Sequence, residues 1–281
     1  MKKFLYKNGC IELYGQGIVM GILNVTPDSF SDGGEFFSPE AAVEHANKML
    51  DDGATIIDIG AMSTRPGSVP VPVDEEISRL TPVLSALKDI ADIIISVDTV
   101  NYETAEFVLE NGAHIINDVS GIFNEKMASV VKKHKCGWIM THTGNVPSGE
   151  ALRYPDGVVS AVDEFFSDFI GKCEAYGIDK NYLCIDPGFG FAKNTDDNIQ
   201  LLRNLKLLVR DDVAFLTALS RKRFIGAITG VENAQDRMIG TVAADIIALM
   251  NGSDIIRVHD VKEACESVTI YNSIGENTIY G

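Results

Sequence analysis

Short apolar runs rich in Val and Ile recur along the chain, and each run stops at a polar or charged residue. Stretches with the spacing of amphipathic helices separate the runs. Continuous apolar runs that alternate with helical stretches are typical of buried parallel strands joined by helical crossovers. The predicted strands are 18–23, 55–57, 93–97, 115–116, 136–140, 183–185, 213–219 and 254–258. Eight such units are enough to close an α/β barrel of the (β/α)8, or TIM, type.

The regions between the runs predict the helices that cover the barrel. These helices are expected at 39–52, 74–88, 102–111, 124–134, 157–176, 196–208, 234–250 and 260–274. At five places a glycine lies between a helix and the next strand, where a left-handed C-cap favours this residue. The five are Gly53, Gly112, Gly137, Gly177 and Gly252. Residues 1–17, with a turn at 7–9, predict a short N-terminal strand or hairpin that closes the bottom of the barrel.

Length and composition agree with a single domain over 1–281. The chain has 281 residues, of which 46% are hydrophobic and 23% charged, and this barrel usually needs about 250. It contains no run of about 18 apolar residues and no apolar core of a signal peptide, so we expect a cytoplasmic protein without a membrane segment. The five cysteines form no CxxC pair, and three lie in or beside apolar runs, which favours reduced core thiols.

The net charge of −16 would repel nucleic acid and anionic membranes. The few clustered bases are therefore more informative. They follow the second, seventh and eighth strands, and they are Arg65, then Arg221, Lys222 and Arg223, then Arg257 with His259. The loops after strands seven and eight of such barrels commonly bind phosphate, and Arg and Lys donate charge-assisted hydrogen bonds to its oxygens. These positions predict an anionic, phosphorylated small-molecule ligand.

The polar residues at the strand ends predict the site itself. The carboxyl ends of the strands gather at one mouth, where the active sites of such barrels lie. The strand-end residues are Asn24, Asp58, Asp98, Asn117, His142, Asp186, Ser220 with Lys222, and Arg257 with His259. Each of them taken alone has a simpler explanation, because Asp and Asn often cap helices. Eight coincident strand ends favour a binding site.

Two long segments, 24–34 and 60–68, mix turn-forming residues with an aromatic ring, hydroxyls and a guanidinium. Long loops in a compact domain are often lids or binding elements, and the alternative is a pair of mobile surface loops. A third segment, 186–194, combines a strand-end carboxylate with glycines and two phenylalanines. We therefore expect all three segments to border the site.

Seven motifs in one order resemble those of the dihydropteroate synthase family, and the resemblance covers nearly the whole chain. They are Gly21-Ile-Leu-Asn-Val-Thr-Pro-Asp-Ser-Phe-Ser-Asp-Gly-Gly34, Ser63-Thr-Arg-Pro-Gly67, Ser96-Val-Asp-Thr99, Ile116-Asn-Asp118, Asp186-Pro-Gly-Phe-Gly-Phe-Ala-Lys193, Ser220-Arg-Lys222 and Ile256-Arg-Val-His-Asp260. The resemblance implies a TIM barrel that joins 6-hydroxymethyl-7,8-dihydropterin pyrophosphate to 4-aminobenzoate, releases pyrophosphate and uses Mg²⁺. It also implies a homodimer and inhibition by sulfonamides, which mimic 4-aminobenzoate.

The resemblance further implies roles for individual residues. Pterin contacts are expected from Asp98, Asn117, Met140, Asp186, Lys222 and Arg257. Pyrophosphate contacts are expected from Asn24, Arg65, Arg257 and His259, with Asn24 also on Mg²⁺. The 4-aminobenzoate pocket would use Phe30, Thr64, Arg65, Pro66, Phe191 and Ser220, although ordinary packing would also explain the two phenylalanines. The catalytic set would be Asp98, Lys222, Arg257 and His259, acting on a reaction in which the bond to pyrophosphate breaks first and the arylamine then attacks a pterin cation.

The chemistry of these residue types agrees with those roles. Carboxylates and amides match the donors along the edge of a pterin. Mg²⁺ takes much of its charge balance from substrate phosphates, so a single asparagine is a sensible protein ligand, and we expect metal binding only with substrate.

The chain also departs from the family pattern at two places. Where the family commonly reads Gly-Gly-Glu-Ser-Thr-Arg-Pro, this chain has Ala61 and Met62 in place of the second glycine and the glutamate. After the fifth strand, the usual Met-His pair becomes Met140-Thr141-His142. Two alternatives to a working synthase follow: a non-catalytic pterin-binding paralogue, and a folate-dependent methyltransferase that serves a corrinoid protein. The motifs at 63–66 and 220–222 argue against the methyltransferase.

Overall fold

Eight parallel strands close into a barrel in the computed structural model, which describes residues 2–25, 39–61, 71–88, 90–144 and 151–274. A two-stranded antiparallel hairpin, β1 (Lys3–Tyr6) and β2 (Gly9–Glu12), precedes the barrel. The barrel strands are β3 (Ile18–Asn24), β4 (Ile56–Gly60), β5 (Ile94–Asp98), β6 (Ile115–Asp118), β7 (Gly137–Thr141), β8 (Leu183–Asp186), β9 (Ala214–Thr217) and β10 (Ile255–Val258). Each strand pairs with the next, and β10 pairs with β3. The predicted TIM barrel with an N-terminal hairpin is confirmed.

Helices cover the outside of the barrel. They are α1 (Pro39–Asp51), α2 (Val73–Leu87), α3 (Tyr102–Glu110), α4 (Glu125–His134), α5 (Val158–Tyr176), α6 (Thr195–Arg203), α7 (Arg223–Thr229), α8 (Met238–Met250) and α9 (Val261–Ile274). Short 3-10 helices lie at Lys180–Tyr182, Leu205–Leu207 and Ala234–Arg237. The predicted helix 234–250 therefore begins as a 3-10 turn. The sequence pattern missed α7, because seven residues with an internal glycine are too few to establish a helical period.

Four of the five predicted glycine caps adopt positive φ, and Gly137 does not. Lys135 ends α4 in the left-handed conformation instead, with φ of 49°. Gly137 begins β7, where a Cβ would lie 2.7 Å from the ring of Phe4. The glycine is required there by the close approach of the hairpin and not by backbone conformation.

The hairpin fills the N-terminal end of the barrel. Phe4, Ile11 and Leu13 pack against apolar residues of the barrel interior. Those interior residues include Met20, Ile56, Ile94, Ile115, Ile139, Cys184, Leu216 and Ile255. Lys2 forms an ion pair of 2.5 Å with Asp254, just before β10. The prediction that this segment closes the bottom is confirmed.

The barrel interior changes from apolar to polar toward the carboxyl ends of the strands. Residues two apart on a strand share a face, so the residue two positions after each apolar interior residue also faces inward. These residues are Ile22, Asp58, Ser96, Asn117, Thr141, Asp186, Ala218 and Arg257. A second, largely polar layer of side chains therefore lies next to the apolar layer, on the side of the mouth.

Two further sequence expectations concern the rest of the core and the membrane. Cys136, Cys173 and Cys184 are buried, and all five cysteines are free thiols, as predicted. No helix in the described part of the chain combines the length and the apolar character needed to cross a membrane.

Candidate active site

A buried carboxylate, an arginine and an amide form the centre of the polar layer. The Arg257 Nε lies 2.7 Å from Asp58 Oδ2, and its Nη2 lies 3.4 Å from Asp98 Oδ2. The Asn117 amide donates to the same Asp58 oxygen at 3.0 Å. Asp58 is fully buried, and its other oxygen has no hydrogen-bond partner among the described residues. Asp58 therefore fixes the positions of an arginine and an amide that were both predicted to contact the pterin.

Asp58 is a site residue that the sequence pattern marked only as a strand end. Its bond to Arg257 joins residues 199 positions apart, and its bond to Asn117 spans 59. Contacts of that range cannot be read from a local pattern. The available signal was its place at the end of a buried strand, on the face that points into the barrel.

Burial changes the ionisation of the carboxyls at the mouth. It raises the pKa of Asp98 to about 7, although the positive charge of Arg257 opposes this shift. Burial also raises the pKa of Asp186, against the backbone N–H of Gly188 and the charge of Lys222. Such carboxyls are stabilised in their charged form when a ligand brings N–H donors or positive charge close to them.

Asp186 is held by two donors at the end of β8. Its Oδ1 accepts from the Gly188 N–H at 2.8 Å, and its Oδ2 accepts from the Thr141 hydroxyl at 3.3 Å. Thr141 follows Met140 where the family's usual Met-His pair has its histidine. In this chain the threonine faces the interior and orients a predicted pterin-binding carboxylate.

Lys222 and Phe191 approach each other from neighbouring loops. Lys222 precedes the first residue of α7, and its Nζ lies 4.8 Å from the centre of the Phe191 ring. Gly190, with φ of 81°, lies beside this lysine, and a Cβ there would lie 3.1 Å from Lys222 Cδ. Burial lowers the pKa of Lys222 to about 8, while the carboxylate of Asp186 opposes the shift. The lysine charge therefore lies near both an aromatic face and a carboxylate.

Ser220 and His259 form a second polar pair at the mouth. The His259 backbone N–H donates to Ser220 Oγ at 3.2 Å, and that oxygen lies 2.9 Å from His259 Nδ1. Burial lowers the pKa of His259 to about 3, so the ring is neutral near pH 7. The Ser220 hydroxyl can donate its proton to Nδ1, and in that tautomer the ring proton lies on Nε2. In that tautomer, His259 offers an Nε2–H donor without a charge.

The basic run after β9 has different partners at each position. Arg221 forms two hydrogen bonds with Asp260, including an ion pair of 2.5 Å, and its φ is 58°. Arg223 is exposed. Of the three bases, Lys222 is the one whose charge acts on the carboxylates of the mouth.

The remaining predicted residues fall into three groups. Asn24 ends β3 and is half-buried, and its strand register places it opposite Gly60, which in turn pairs with Asp98. Met140 is fully buried and packs with Trp138 in the core between the strands and the helices. The structure therefore does not bring Met140 to the polar layer. Four predicted residues, Phe30, Thr64, Arg65 and Pro66, lie outside the described part of the chain, as does Met62.

Comparisons with known proteins agree with this geometry. Residues 20–259 match the family described as pterin binding enzyme. The dihydropteroate synthase of Escherichia coli (strain K12) is 42% identical over 254 residues, which cover 90% of this chain and 89% of that protein.

Two solved structures extend the similarity to the fold. Dihydropteroate synthase of Xanthomonas albilineans with 4-aminobenzoic acid has a TM-score of 0.88 at 41% identity, covering 94% of this chain and 95% of that one. The Yersinia pestis dihydropteroate synthase in a sulfonamide complex has a TM-score of 0.89 at 40% identity, covering 96% and 98%. A matching family over most of the chain, close relatives of one kind and the polar layer at the barrel mouth agree, and the chain belongs to the dihydropteroate synthase family of pterin-binding enzymes.

Proposed function

We propose that the protein is a transferase that condenses 6-hydroxymethyl-7,8-dihydropterin pyrophosphate with 4-aminobenzoate, giving 7,8-dihydropteroate and pyrophosphate. The observation that carries the proposal is the network of Asp58, Asp98, Asn117 and Arg257, which lies in the same mouth as Asp186 and Lys222. It combines acceptors for a pterin edge with positive charge for a departing anion. The sulfonamide bound to the Yersinia pestis relative supports the same second site here, with sulfonamides as inhibitors.

The pterin would bind to the buried acceptors of the polar layer. Asp98 and Asp186 would accept hydrogen bonds from amino and ring N–H groups, and Asn117 would both donate and accept. An analogue that lacks those N–H groups would leave buried carboxyls unpaired, so the site should reject it. Lys222 would contact the pterin ring and balance the charge of Asp186.

Arg257 and His259 would stabilise the departing pyrophosphate. Arg257 would direct a guanidinium, held on its other edge by Asp58, at the developing charge. His259 would donate its Nε2–H without adding charge. The carboxylates of Asp98 and Asp186 would stabilise the pterin cation that forms when the C–O bond breaks. The reaction needs no side-chain nucleophile.

Magnesium fits the donors of the mouth as a substrate-bound ion. Asn24 offers one neutral oxygen at the end of β3, and magnesium commonly combines few protein ligands with several waters and substrate phosphates. Within the described ranges, the one cluster of three His, Cys, Asp or Glu ligand atoms is Glu106, Glu110 and His134, on α3 and α4. Asn24 would therefore hold the ion together with pyrophosphate, whose negative charge the ion would neutralise.

The 4-aminobenzoate would bind on the outer side of the pterin. Phe191 offers a ring face beside the Lys222 ammonium, which suits an aromatic acid. Ser220 remains a proposed contact, with its hydroxyl already shared with His259. The proposed contacts at Phe30, Thr64, Arg65 and Pro66 rest on the sequence motifs alone.

Arylamine-dependent release of pyrophosphate tests the proposal. The purified protein would be supplied with the pterin pyrophosphate, Mg²⁺ and 4-aminobenzoate, and pyrophosphate and dihydropteroate would be measured together. Controls omit the arylamine or the metal ion. Equal amounts of the two products establish the reaction, whereas tight binding of the pterin pyrophosphate without dihydropteroate would support the non-catalytic paralogue. Methyl transfer from methyltetrahydrofolate to a corrinoid would support the methyltransferase.

Asp58→Asn is expected to lower kcat/KM for the pterin pyrophosphate by about 10- to 100-fold. The variant keeps the side-chain shape but removes the charge that holds Arg257, and a hydrogen bond to a charged group contributes about 1.5–3 kcal/mol. The matched control is Asp168→Asn, which removes the carboxylate from the exposed pair with Lys172. Steady-state kinetics of both variants give the comparison. A wild-type value for Asp58→Asn would show that Arg257 needs no such support.

The proposal includes a homodimer in the cytoplasm. Helices α7, α8 and α9 pack side by side and carry large exposed apolar side chains. These are Ile228, Ile239, Ile247, Met250, Ile270 and Ile274. Exposed apolar surface of this kind is typical of protein interfaces, and a second copy of the chain would cover it by two-fold symmetry.

A further inference from the structure

The ammonium of Lys193 lies in a cage of acceptors just beyond β8. Its Nζ lies 3.1 Å from the carbonyl oxygen of His142, and 3.0 Å from those of Gly188 and Phe191. A fourth acceptor, His142 Nδ1, lies at 2.9 Å. The residue is 7% exposed. One buried amino group thus joins the residues after β7 to the turn after β8.

Burying the amino group of Lys193 costs desolvation free energy, which an apolar side chain in the same place would not require. Burial lowers the pKa of Lys193 to about 7, although Asp186 opposes the shift. Within the described ranges, no carboxylate lies at ion-pair distance from Lys193. A buried amino group costs free energy unless it is hydrogen-bonded, and here every described partner within hydrogen-bond distance is a fixed acceptor of the two loops. The cage of carbonyls therefore indicates a positional role.

His142, directly after β7, contacts Lys193 through its ring and its carbonyl oxygen. Burial lowers the pKa of His142 to about 3, so its ring is neutral and Nδ1 can accept from the ammonium. The ring packs edge-on against Phe165, at 5.1 Å between centres. Gly188 lies so close to this loop that a Cβ would be 2.0 Å from the His142 carbonyl oxygen. The two loops are in direct contact where the lysine joins them.

The turn that Lys193 holds carries the Phe191 ring. Ala192, with φ of 50°, is in the left-handed region that alanine avoids, so this turn needs support from its surroundings. The Ala192 carbonyl accepts from the Tyr154 hydroxyl at 3.1 Å. On the other side of the turn, Lys222 Nζ lies over the Phe191 ring. The ammonium of Lys193 thus fixes the backbone on which this ring depends.

We propose that Lys193 is a positioning residue for the arylamine: its contacts with the carbonyls of His142, Gly188 and Phe191 hold the Phe191 ring beside Lys222, where the aromatic acid would bind. The role deepens the proposed function and rests on it. The charge of Lys193 also acts on Asp186, but Asp186 keeps its Thr141 donor, so the pterin side of the site should change less than the arylamine side.

Lys193→Met tests the role, because methionine has a similar length and no charge. KM for 4-aminobenzoate is expected to rise about 10-fold or more, with smaller changes in kcat and in the calorimetric Kd for pterin pyrophosphate. The matched control is Lys206→Met, the same change at an exposed lysine, which should leave all three values unchanged. An unchanged KM for 4-aminobenzoate in Lys193→Met overturns the proposal. So does an equal loss of pterin affinity with a lower Tm, which indicates general destabilisation.

Hydrogen exchange of the segment 187–192, measured without substrates, separates this proposal from the proposed function. Faster exchange in Lys193→Met, but not in Lys206→Met, supports the hold on the turn even if the wild-type protein releases no pyrophosphate. In that outcome the proposed function fails, while the role of Lys193 in holding this turn is retained. Unchanged exchange overturns that role, whatever the activity of the wild type.

Discussion

Replacing Lys222 with alanine is expected to lower kcat/KM for pterin pyrophosphate by at least about 100-fold. Loss of one preorganised group that stabilises developing charge commonly costs about 2.7–4 kcal/mol, and about 2.7 kcal/mol corresponds to that factor. The change removes the charge that opposes the raised pKa of Asp186. More of that carboxyl would then be protonated at neutral pH, and a pterin acceptor and a ring contact would be lost together.

The measurement is steady-state pyrophosphate release at saturating 4-aminobenzoate, with Lys206→Ala as a surface control for loss of a lysine. Lys222→Arg adds a second comparison, because it keeps the charge but changes its shape and reach. It should recover part of the activity. Near-normal turnover by Lys222→Ala would remove this lysine from the catalytic set.

Asp245→Ala is expected to stabilise the protein by about 2 kcal/mol at pH 8, since a buried polar group without a partner costs about 1–3 kcal/mol. Asp245 lies in α8, is 2% exposed, and neither of its oxygens has a hydrogen-bond partner in the described part of the chain. Burial raises its pKa well above the ordinary value. Alanine also favours the helical conformation more than aspartate does.

The effect of Asp245 should depend on pH in a defined direction. The unfolded chain loses this proton near pH 3.9, whereas the folded protein retains it to higher pH. The wild type therefore loses stability as the pH rises above about 3.9 and until the folded pKa is reached. Urea unfolding at pH 5 and pH 8 should show a larger advantage for Asp245→Ala at pH 8. Asp211→Ala, at an exposed position, is the control, and an equal advantage at both pH values would contradict the assignment.

Strand periodicity explains why most of the barrel could be predicted. Buried parallel strands appear as continuous apolar runs, so the strand ends at Asp98, Asn117 and Asp186 could be predicted from the points at which these runs stop. The alternation of side chains along a strand also explains why Met140 of β7, predicted to contact the pterin, does not lie in the polar layer. Met140 and Thr141 are neighbours and face opposite sides of the strand, so the side that each residue faces depends on the register. The structure places Thr141 inside and Met140 outside.

Contacts between distant segments could not be predicted in the same way. Asp58 and Arg257 meet because β4 and β10 both direct these side chains into the barrel interior. Their separation along the chain gives no sign that the two side chains are in contact. His142 was expected at the mouth as a strand-end residue, yet its ring nitrogen contacts Lys193. The short helix α7 was missed for a local reason, its length, although the basic motif before it was recognised.

The closed bottom of the barrel affects the order in which ligands come and go. Because the hairpin with Phe4 fills the N-terminal end, ligands reach the polar layer from the opposite end. Two ligands that use one entrance and bind at different depths cannot exchange independently. The pterin, which we propose binds deeper, would have to arrive first and would be trapped while the outer ligand remains, so an aromatic acid bound prematurely would obstruct the pterin. In a barrel with one open end, the rate would depend on the concentration ratio of the two substrates as well as on each concentration alone.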